Sequence, residues 1–198
     1  MDNQSIPLIL ASSSPYRTAL LEKLQLAFQY ADPKIDESQR FNESPEHLAM
    51  RLAAAKAQAL VEQFPDSLII GADQVALLGG RKLQKPGDFE SARTQLHAAS
   101  GHCMTFYTGI CLLNAKSSRK INEVEICKVY FRRLSDSEIE DYLRREQPYD
   151  CVGAFKAEGL GIALFERIES SDPTALIGLP LIKLTTMLRK FGIRVLGS

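Results

Sequence analysis

Apolar residues change their spacing along the chain, alternating between strand-like and helix-like patterns. Residues 6–11 form a short β-rich run, which predicts a strand, and a polar turn follows at residues 12–15. Leu20, Leu21 and Leu24 then recur at helical spacing. The first part of the chain is therefore predicted to fold as a strand, a polar turn and a helix.

A continuous apolar run at residues 68–72 predicts a central strand that is covered on both faces, with Asp73 at its carboxyl end. Two further strands are predicted at residues 104–113 and 124–133, joined by a hairpin-like polar link at residues 114–120. These segments supply the sheet of the fold.

Helix-start signals separate the predicted strands. They occur at Ser44, after the chain break at residues 86–88, and at the capping box formed by Ser135 and Glu138. A last helix is predicted over residues 180–191. Strands that alternate with helices indicate an α/β architecture.

Composition narrows the class of protein. A chain of 198 residues with 45% apolar residues is typical of one water-soluble domain. Its 24 basic and 24 acidic side chains cancel, so no overall field would hold a nucleic-acid polymer or an anionic membrane. An anionic small molecule would therefore have to be bound by a local cluster of cations.

Other sequence features favour a cytosolic protein with reduced thiols. The four cysteines are widely spaced without a Cys-x-x-Cys pair, which predicts buried free thiols. Residues 1–5 lack the cationic start of a secretory signal, and no apolar run approaches the roughly 18 residues that span a membrane. We therefore expect a cytoplasmic location and no membrane partner.

The turn after the first strand has the features of a phosphate site. Ser12 and Ser14 supply hydroxyls, Pro15 suits the first helical position, and the exposed N–H groups of a helix start attract anions. Arg17 in the first turn opposes the helix dipole, which a bound anion would explain. The alternative is a helix cap beside a solvated arginine.

Charged residues elsewhere could complete such a site. Lys56 lies on an apolar helix face, Lys85 on a stiff turn, Glu37 in a loop and Asp73 after the central strand. Each has an ordinary alternative: a lysine extended towards solvent, a surface turn or a structural cap. Together with Arg17 they would suit a triphosphate and a divalent metal, because Mg²⁺ or Mn²⁺ needs only one or two carboxylates besides phosphate oxygens.

A series of short motifs extends along nearly the whole chain. They are Leu10-Ala11-Ser12-x-Ser14-Pro15-x-Arg17, Asp36-Glu37, Leu52-Ala53-x-x-Lys56-Ala57, Gly71-Ala72-Asp73-Gln74, Lys85-Pro86, Ser100-Gly101, Thr108-Gly109 and Gly178-Leu179-Pro180-Leu181. Their number, order and spacing resemble those of the Maf family of nucleoside triphosphate pyrophosphatases. The resemblance implies one domain over residues 1–198 with a long curved mixed sheet, flanking helices and a cleft between two lobes that share the sheet, as in inosine triphosphate pyrophosphatases. It also suggests a homodimer.

The resemblance further implies a hydrolase that cleaves the α–β phosphoanhydride bond of a nucleoside triphosphate with Mg²⁺ or Mn²⁺. Asp73 matches the family's proposed general base, and Glu37 matches the acidic residue that helps to hold the metal beside it. The positions that match those surrounding the phosphates are Ser12, Arg17, Lys56 and Lys85.

Three departures from the commonest Maf pattern, Tyr16, Gln74 and Glu158, resemble the branch that hydrolyses 7-methyl-GTP. Methylation at N7 makes guanine cationic, so an aromatic ring at Tyr16 would attract it and a carboxylate at Glu158 would pair with its N–H groups. The alternatives are a UTP or dTTP pyrophosphatase of the same family, and a nucleotide-binding regulator without catalysis, since the Maf name is associated with inhibition of septum formation in bacteria.

Overall fold

The computed structural model describes residues 6–197, so residues 1–5, on which the expected lack of a secretory signal depends, lie outside the described part. The strands are β1 (Leu8–Ala11), β2 (Gln29–Ala31), β3 (Leu68–Leu78), β4 (Arg81–Lys82), β5 (Cys103–Asn114), β6 (Lys120–Phe131) and β7 (Phe165–Glu169). The helices are α1 (Pro15–Glu22), α2 (Pro45–Ala59), α3 (Phe89–Ala99), α4 (Asp136–Glu146) and α5 (Leu181–Lys190). Two short 3₁₀ helices cover Leu160–Leu164 and Pro173–Ile177.

All of these strands join one mixed sheet in the order β2-β1-β3-β5-β6-β7, with β4 paired to β3. Strand β1 is parallel to both β2 and β3, whereas β3, β5, β6 and β7 pair in antiparallel fashion. The predicted α/β class with a mixed sheet flanked by helices is therefore confirmed. None of the described helices is both long and apolar enough to cross a lipid bilayer.

The helix starts predicted at Ser44, after residues 86–88 and at Ser135 are present in the structure. Ser44 and Asp88 each accept a backbone hydrogen bond from the residue three positions on, and Ser135 forms a complete capping box with Glu138. Ser14 occupies the N-cap position of α1, but its side chain caps nothing. The hydroxyl of Ser12 instead accepts a hydrogen bond from the Ser14 N–H at 3.1 Å.

The predicted end of the central strand is wrong. Strand β3 continues for five residues past Asp73, and Asp73 pairs with Gly109 of β5. The antiparallel partner supports β3 over its full length, whereas the parallel neighbour β1 ends opposite Gly71. Asp73 therefore lies within a strand, yet just beyond the carboxyl end of β1, which is where α/β sheets expose their binding edge.

Helix α2 packs unusually close to the sheet because two strand residues have no side chain. A Cβ atom at Gly71 would overlap the carbonyl oxygen of Ala53, and one at Gly109 would overlap that of Ala49. The two glycines therefore let the helix backbone rest on β3 and β5. This contact brings Lys56 of α2 to the level of Asp73.

The core lies on both faces of the sheet. One cluster contains edge-to-face aromatic contacts in which Phe155 meets Phe106, Phe131 and Phe165 at ring-centroid distances of 5.5, 5.7 and 4.9 Å. Phe155 is buried and opens the loop that carries Glu158. The aromatic cluster thus anchors this loop against the sheet.

Two of the four cysteines match the expectation of buried free thiols. Cys111 and Cys127 are buried, and burial raises the pKa of the Cys111 thiol to about 12 and that of Cys127 to about 11. Cys103 and Cys151 are free but only partly buried. The partial exposure of Cys151 arises because it borders the cleft described below.

Candidate active site

A cleft with a volume of about 710 Å³ lies at the end of β1, between the loop at residues 32–37 and the loop at residues 150–158. Segments far apart in sequence contribute to its walls. The structure brings every site residue considered above to this one cleft: Ser12, Tyr16, Arg17, Glu37, Lys56, Asp73, Gln74, Lys85 and Glu158.

Lys56 holds the two acidic residues together. Its Nζ atom lies 2.6 Å from Asp73 Oδ1 and 2.6 Å from Glu37 Oε1. The side chains of Lys56 and Asp73 are 8% and 10% exposed, whereas that of Glu37 is 57% exposed. Lys56 therefore does not extend to solvent. A buried charge of this kind is tolerated because it is paired and hydrogen-bonded.

The same carboxylates form a suitable donor set for a divalent metal. Asp73 and Glu37 both direct an oxygen at the position of one cation, the Lys56 ammonium. Mg²⁺ and Mn²⁺ prefer oxygen donors, and sites that also contain substrate phosphates need only one or two carboxylates. Within residues 6–197, no group of three or more histidine, cysteine, aspartate or glutamate side chains is arranged to hold a metal without a substrate.

Arg17 is fixed at the floor of the cleft. Its Nε donates a hydrogen bond to the Gly178 carbonyl at 2.9 Å, and its Nη1 donates to Ser12 Oγ at 3.4 Å. Gly178 adopts a φ of +122°, and a Cβ there would approach Arg17 Nε to 3.4 Å. Burial lowers the pKa of Arg17, while the charges of Asp73 and Glu37 act in the opposite direction. The guanidinium remains cationic, as arginine does in proteins.

A network beneath the cleft places the Gly178 segment. The buried Glu125 carboxylate accepts hydrogen bonds from the hydroxyls of Ser170 and Ser171 at 3.0 and 2.7 Å. Burial would raise the pKa of Glu125, but these hydrogen bonds and Lys183 hold it below its usual value. The neighbouring Asp172 caps the following 3₁₀ helix and accepts backbone hydrogen bonds at the start of α5. No local pattern in the sequence predicted this network.

Gln74, a residue of β3, connects the segment before Gly178 to the sheet. Its amide nitrogen donates hydrogen bonds to Thr108 Oγ1 at 3.1 Å and to the carbonyls of Ala175 and Leu176 at 2.9 and 3.2 Å. The Thr108 hydroxyl donates to the Ala175 carbonyl as well. Although Gln74 lines the cleft, its amide nitrogen is occupied in joining β3 to the 3₁₀ helix at Pro173–Ile177.

The loop that carries Glu158 is fastened to α4. Lys156 Nζ donates a hydrogen bond to the Glu146 carbonyl at 2.9 Å, and the Leu160 N–H donates to the Glu146 carboxylate at 2.9 Å. Glu158 itself is exposed, and within residues 6–197 no lysine or arginine forms an ion pair with it. Its carboxylate is therefore available at the wall of the cleft.

Further cleft residues were not anticipated from the sequence. Lys82 and Lys34 line the cleft together with Lys85, and Asp150 lies beside Tyr16. Lys82 precedes Lys85 by three residues, which was a usable signal. The sequence carried no such signal for Asp150, because its contact with Tyr16 arises only from the tertiary fold.

The mixed sheet and its flanking helices define an α/β protein, and charged side chains line the cleft described above. The family model described as Maf-like protein matches residues 7–191. The chain belongs to the Maf family, as the resemblance of its motifs indicated. Among solved structures, a HAM1 protein from Coxiella burnetii aligns with a TM-score of 0.42 and 12% sequence identity, over 65% of this chain and 74% of that chain.

Proposed function

We propose that the protein is a nucleoside triphosphate pyrophosphatase that releases a nucleoside monophosphate and pyrophosphate, with 7-methyl-GTP as its preferred substrate. The observation that carries the proposal is the meeting of Asp73, Glu37, Lys56 and Arg17 in one cleft. Two carboxylates would repel a triphosphate unless cations intervene. A protein that only binds a nucleotide has no chemical need for them, whereas a hydrolase does.

In this proposal Asp73 orients the attacking water and accepts its proton. Its Oδ1 atom is bound by Lys56, and within the described residues no group donates a hydrogen bond to Oδ2. One oxygen is thus held in place while the other can face a water molecule. Holding the water in this orientation replaces an improbable encounter between water and phosphate in solution, and it supplies a large part of the acceleration of hydrolysis.

The cations stabilise the phosphates and the departing pyrophosphate. Arg17 and Ser12 can donate hydrogen bonds to phosphate oxygens, and Lys56 and Lys85 add positive charge. Fixed donors in a partly buried site are effective because they need little reorganisation during the reaction. A Mg²⁺ or Mn²⁺ ion held by Glu37 and Asp73 would supply further neutralisation of phosphate charge.

Tyr16 and Glu158 support the assignment of a cationic base. An aromatic ring attracts a cation by roughly 1–2 kcal/mol when desolvated. The Glu158 carboxylate can accept both N–H donors on the Watson–Crick edge of guanine, whereas uracil would present a carbonyl oxygen to it. Because Glu158 is exposed, water screens its charge and weakens this selection.

The direct test is a panel of nucleotides, comprising 7-methyl-GTP, GTP, UTP, dTTP and ATP, with Mg²⁺ or Mn²⁺ and with the chelator EDTA. We expect pyrophosphate release, fastest with 7-methyl-GTP and abolished by EDTA. Release of orthophosphate would refute the cleavage position. A preference for UTP or dTTP would retain the class of enzyme but refute the substrate. Tight nucleotide binding without turnover under any metal would favour a regulatory protein.

Replacing Glu158 with glutamine should lower kcat/KM for 7-methyl-GTP by about ten-fold, because the amide lacks the charge and replaces one of the two acceptor oxygens with an N–H donor. The kcat/KM for UTP should fall by a smaller factor or rise. The measurement is a steady-state comparison of both nucleotides. Glu166→Gln, which changes an exposed glutamate outside the cleft, is the matched control. An unchanged ranking of nucleotides would remove Glu158 from base recognition.

A further inference from the structure

Asp150 lies on the wall of the cleft and contacts Tyr16, although 134 residues separate them. The Tyr16 hydroxyl donates to the Asp150 carboxylate, at 3.0 Å from Oδ2 and 3.2 Å from Oδ1. The Cys151 thiol approaches the Tyr16 oxygen at 3.5 Å as a weak donor. These contacts hold the phenol ring at one orientation in the cleft.

The phenol is a stable hydrogen-bond donor in this setting. Burial raises the pKa of Tyr16, and the contacts with Cys151 and Asp150 act in the same direction. The hydroxyl is therefore protonated at neutral pH. A phenol that donates to a carboxylate gains electron density, which makes the face of its ring more attractive to a cation.

The backbone also fixes the position of Asp150. The Cys151 N–H donates a hydrogen bond to the Pro148 carbonyl at 3.2 Å, which closes a turn at residues 148–151. The Gly87 N–H donates to the Tyr149 carbonyl at 2.9 Å and joins this turn to the one that carries Lys85. The backbone is thus held by hydrogen bonds on both sides of Asp150.

The charges around Asp150 favour a cationic ligand. No lysine or arginine in the described part of the chain forms an ion pair with Asp150, and the same holds for Glu158. Of the lysines that face the same cleft, Lys56 is paired with Asp73 and Glu37. The others, Lys34, Lys82 and Lys85, oppose this field until the phosphates of a substrate neutralise them. With a triphosphate bound, two uncompensated carboxylates and an aromatic ring remain for the base.

We propose that Asp150 is a specificity-determining residue that selects a nucleotide with a positively charged base, both through its own charge and by polarising and orienting Tyr16. This inference deepens the proposed function and rests on it. Its substrate class is that of purine nucleoside triphosphates alkylated at N7, where the alkyl group gives the ring a formal positive charge. Asp150 touches no reacting phosphate in this scheme.

The test compares 7-methyl-GTP with GTP, which differ by one methyl group and one charge. Asp150→Asn keeps a hydrogen-bond acceptor for Tyr16 and removes the charge, whereas Asp150→Ala removes both. We expect the ratio of kcat/KM for 7-methyl-GTP to that for GTP to fall about five-fold in Asp150→Asn, and at least as far in Asp150→Ala. Asp141→Asn, on an exposed carboxylate of α4 outside the cleft, should leave the ratio unchanged.

Two results would overturn the inference. The ratio could stay at the wild-type value in both variants, or it could fall only in Asp150→Ala, which would reduce Asp150 to a support for the tyrosine ring. Thermal unfolding of each variant excludes loss of the fold as the cause. If the wild-type protein hydrolyses no nucleoside triphosphate, the proposed function itself fails. A wild-type enzyme that hydrolyses both nucleotides equally contradicts the proposed substrate as well, whereas a wild-type preference for 7-methyl-GTP that both variants retain contradicts the Asp150 inference alone.

Discussion

Replacing Asp73 with asparagine is expected to lower kcat by about a thousand-fold, because removal of a positioned general base costs on the order of 10²–10⁴ in rate. The asparagine side chain has the same shape and can still accept the hydrogen bond that Lys56 Nζ donates to Oδ1. Nucleotide binding should therefore persist while the water loses its proton acceptor. Steady-state pyrophosphate release and calorimetric binding of the nucleotide measure the two quantities separately.

The matched control is Asp66→Asn, since Asp66 is an exposed carboxylate paired with Lys116 and does not line the cleft. It should retain the wild-type rate. If Asp73→Asn kept more than about a tenth of wild-type kcat with normal binding, Asp73 would not be the base, because orientation by metal and cations would then account for most of the rate.

Replacing Gly71 with alanine is expected to lower the free energy of unfolding by about 3 kcal/mol and to abolish most activity. The new methyl group would overlap the Ala53 carbonyl and contact the Ala57 nitrogen at 2.9 Å, both of which are backbone atoms of α2. The helix must then move away from β3. Because Lys56 lies on that helix, its ammonium would leave Asp73. Urea unfolding and the nucleotide assay measure the two effects.

Gly192→Ala is the control for this variant. Gly192 has a φ of +84°, nothing lies within 4 Å of its missing Cβ, and it does not line the cleft. The left-handed backbone should cost about 1 kcal/mol and leave the rate unchanged. A Gly71→Ala protein that lost less than about 1 kcal/mol and kept its rate would show that α2 is not seated by this glycine.

Local signals predicted most elements of the fold. The capping residues Ser44, Asp88 and Ser135 act within a few residues, so their effect can be inferred without the tertiary structure. The end of β3 could not be inferred in this way. Its length is set by hydrogen bonds to β5, a strand more than twenty residues further along the chain, and the apolar run alone gave no sign of that pairing.

The candidate site, like the fold, could be predicted from the sequence only in part. Residue types and motif order predicted a set of candidate site residues, and the structure brings them to one cleft. The position of Lys56 between two carboxylates could not be read from its helix face, because Gly71 and Gly109 set the depth of that helix. The contact between Tyr16 and Asp150 was likewise invisible, since neither residue carries a local signal of the other.

The most direct measurement of the chemistry is hydrolysis in water labelled with a heavy oxygen isotope, followed by mass analysis of both products. If water aligned by Asp73 attacks the α phosphorus and pyrophosphate departs, the label must appear in the nucleoside monophosphate. We expect one labelled oxygen per monophosphate and unlabelled pyrophosphate. Label in pyrophosphate, or orthophosphate as the first product, would contradict the arrangement of general base, cations and leaving group proposed for this cleft.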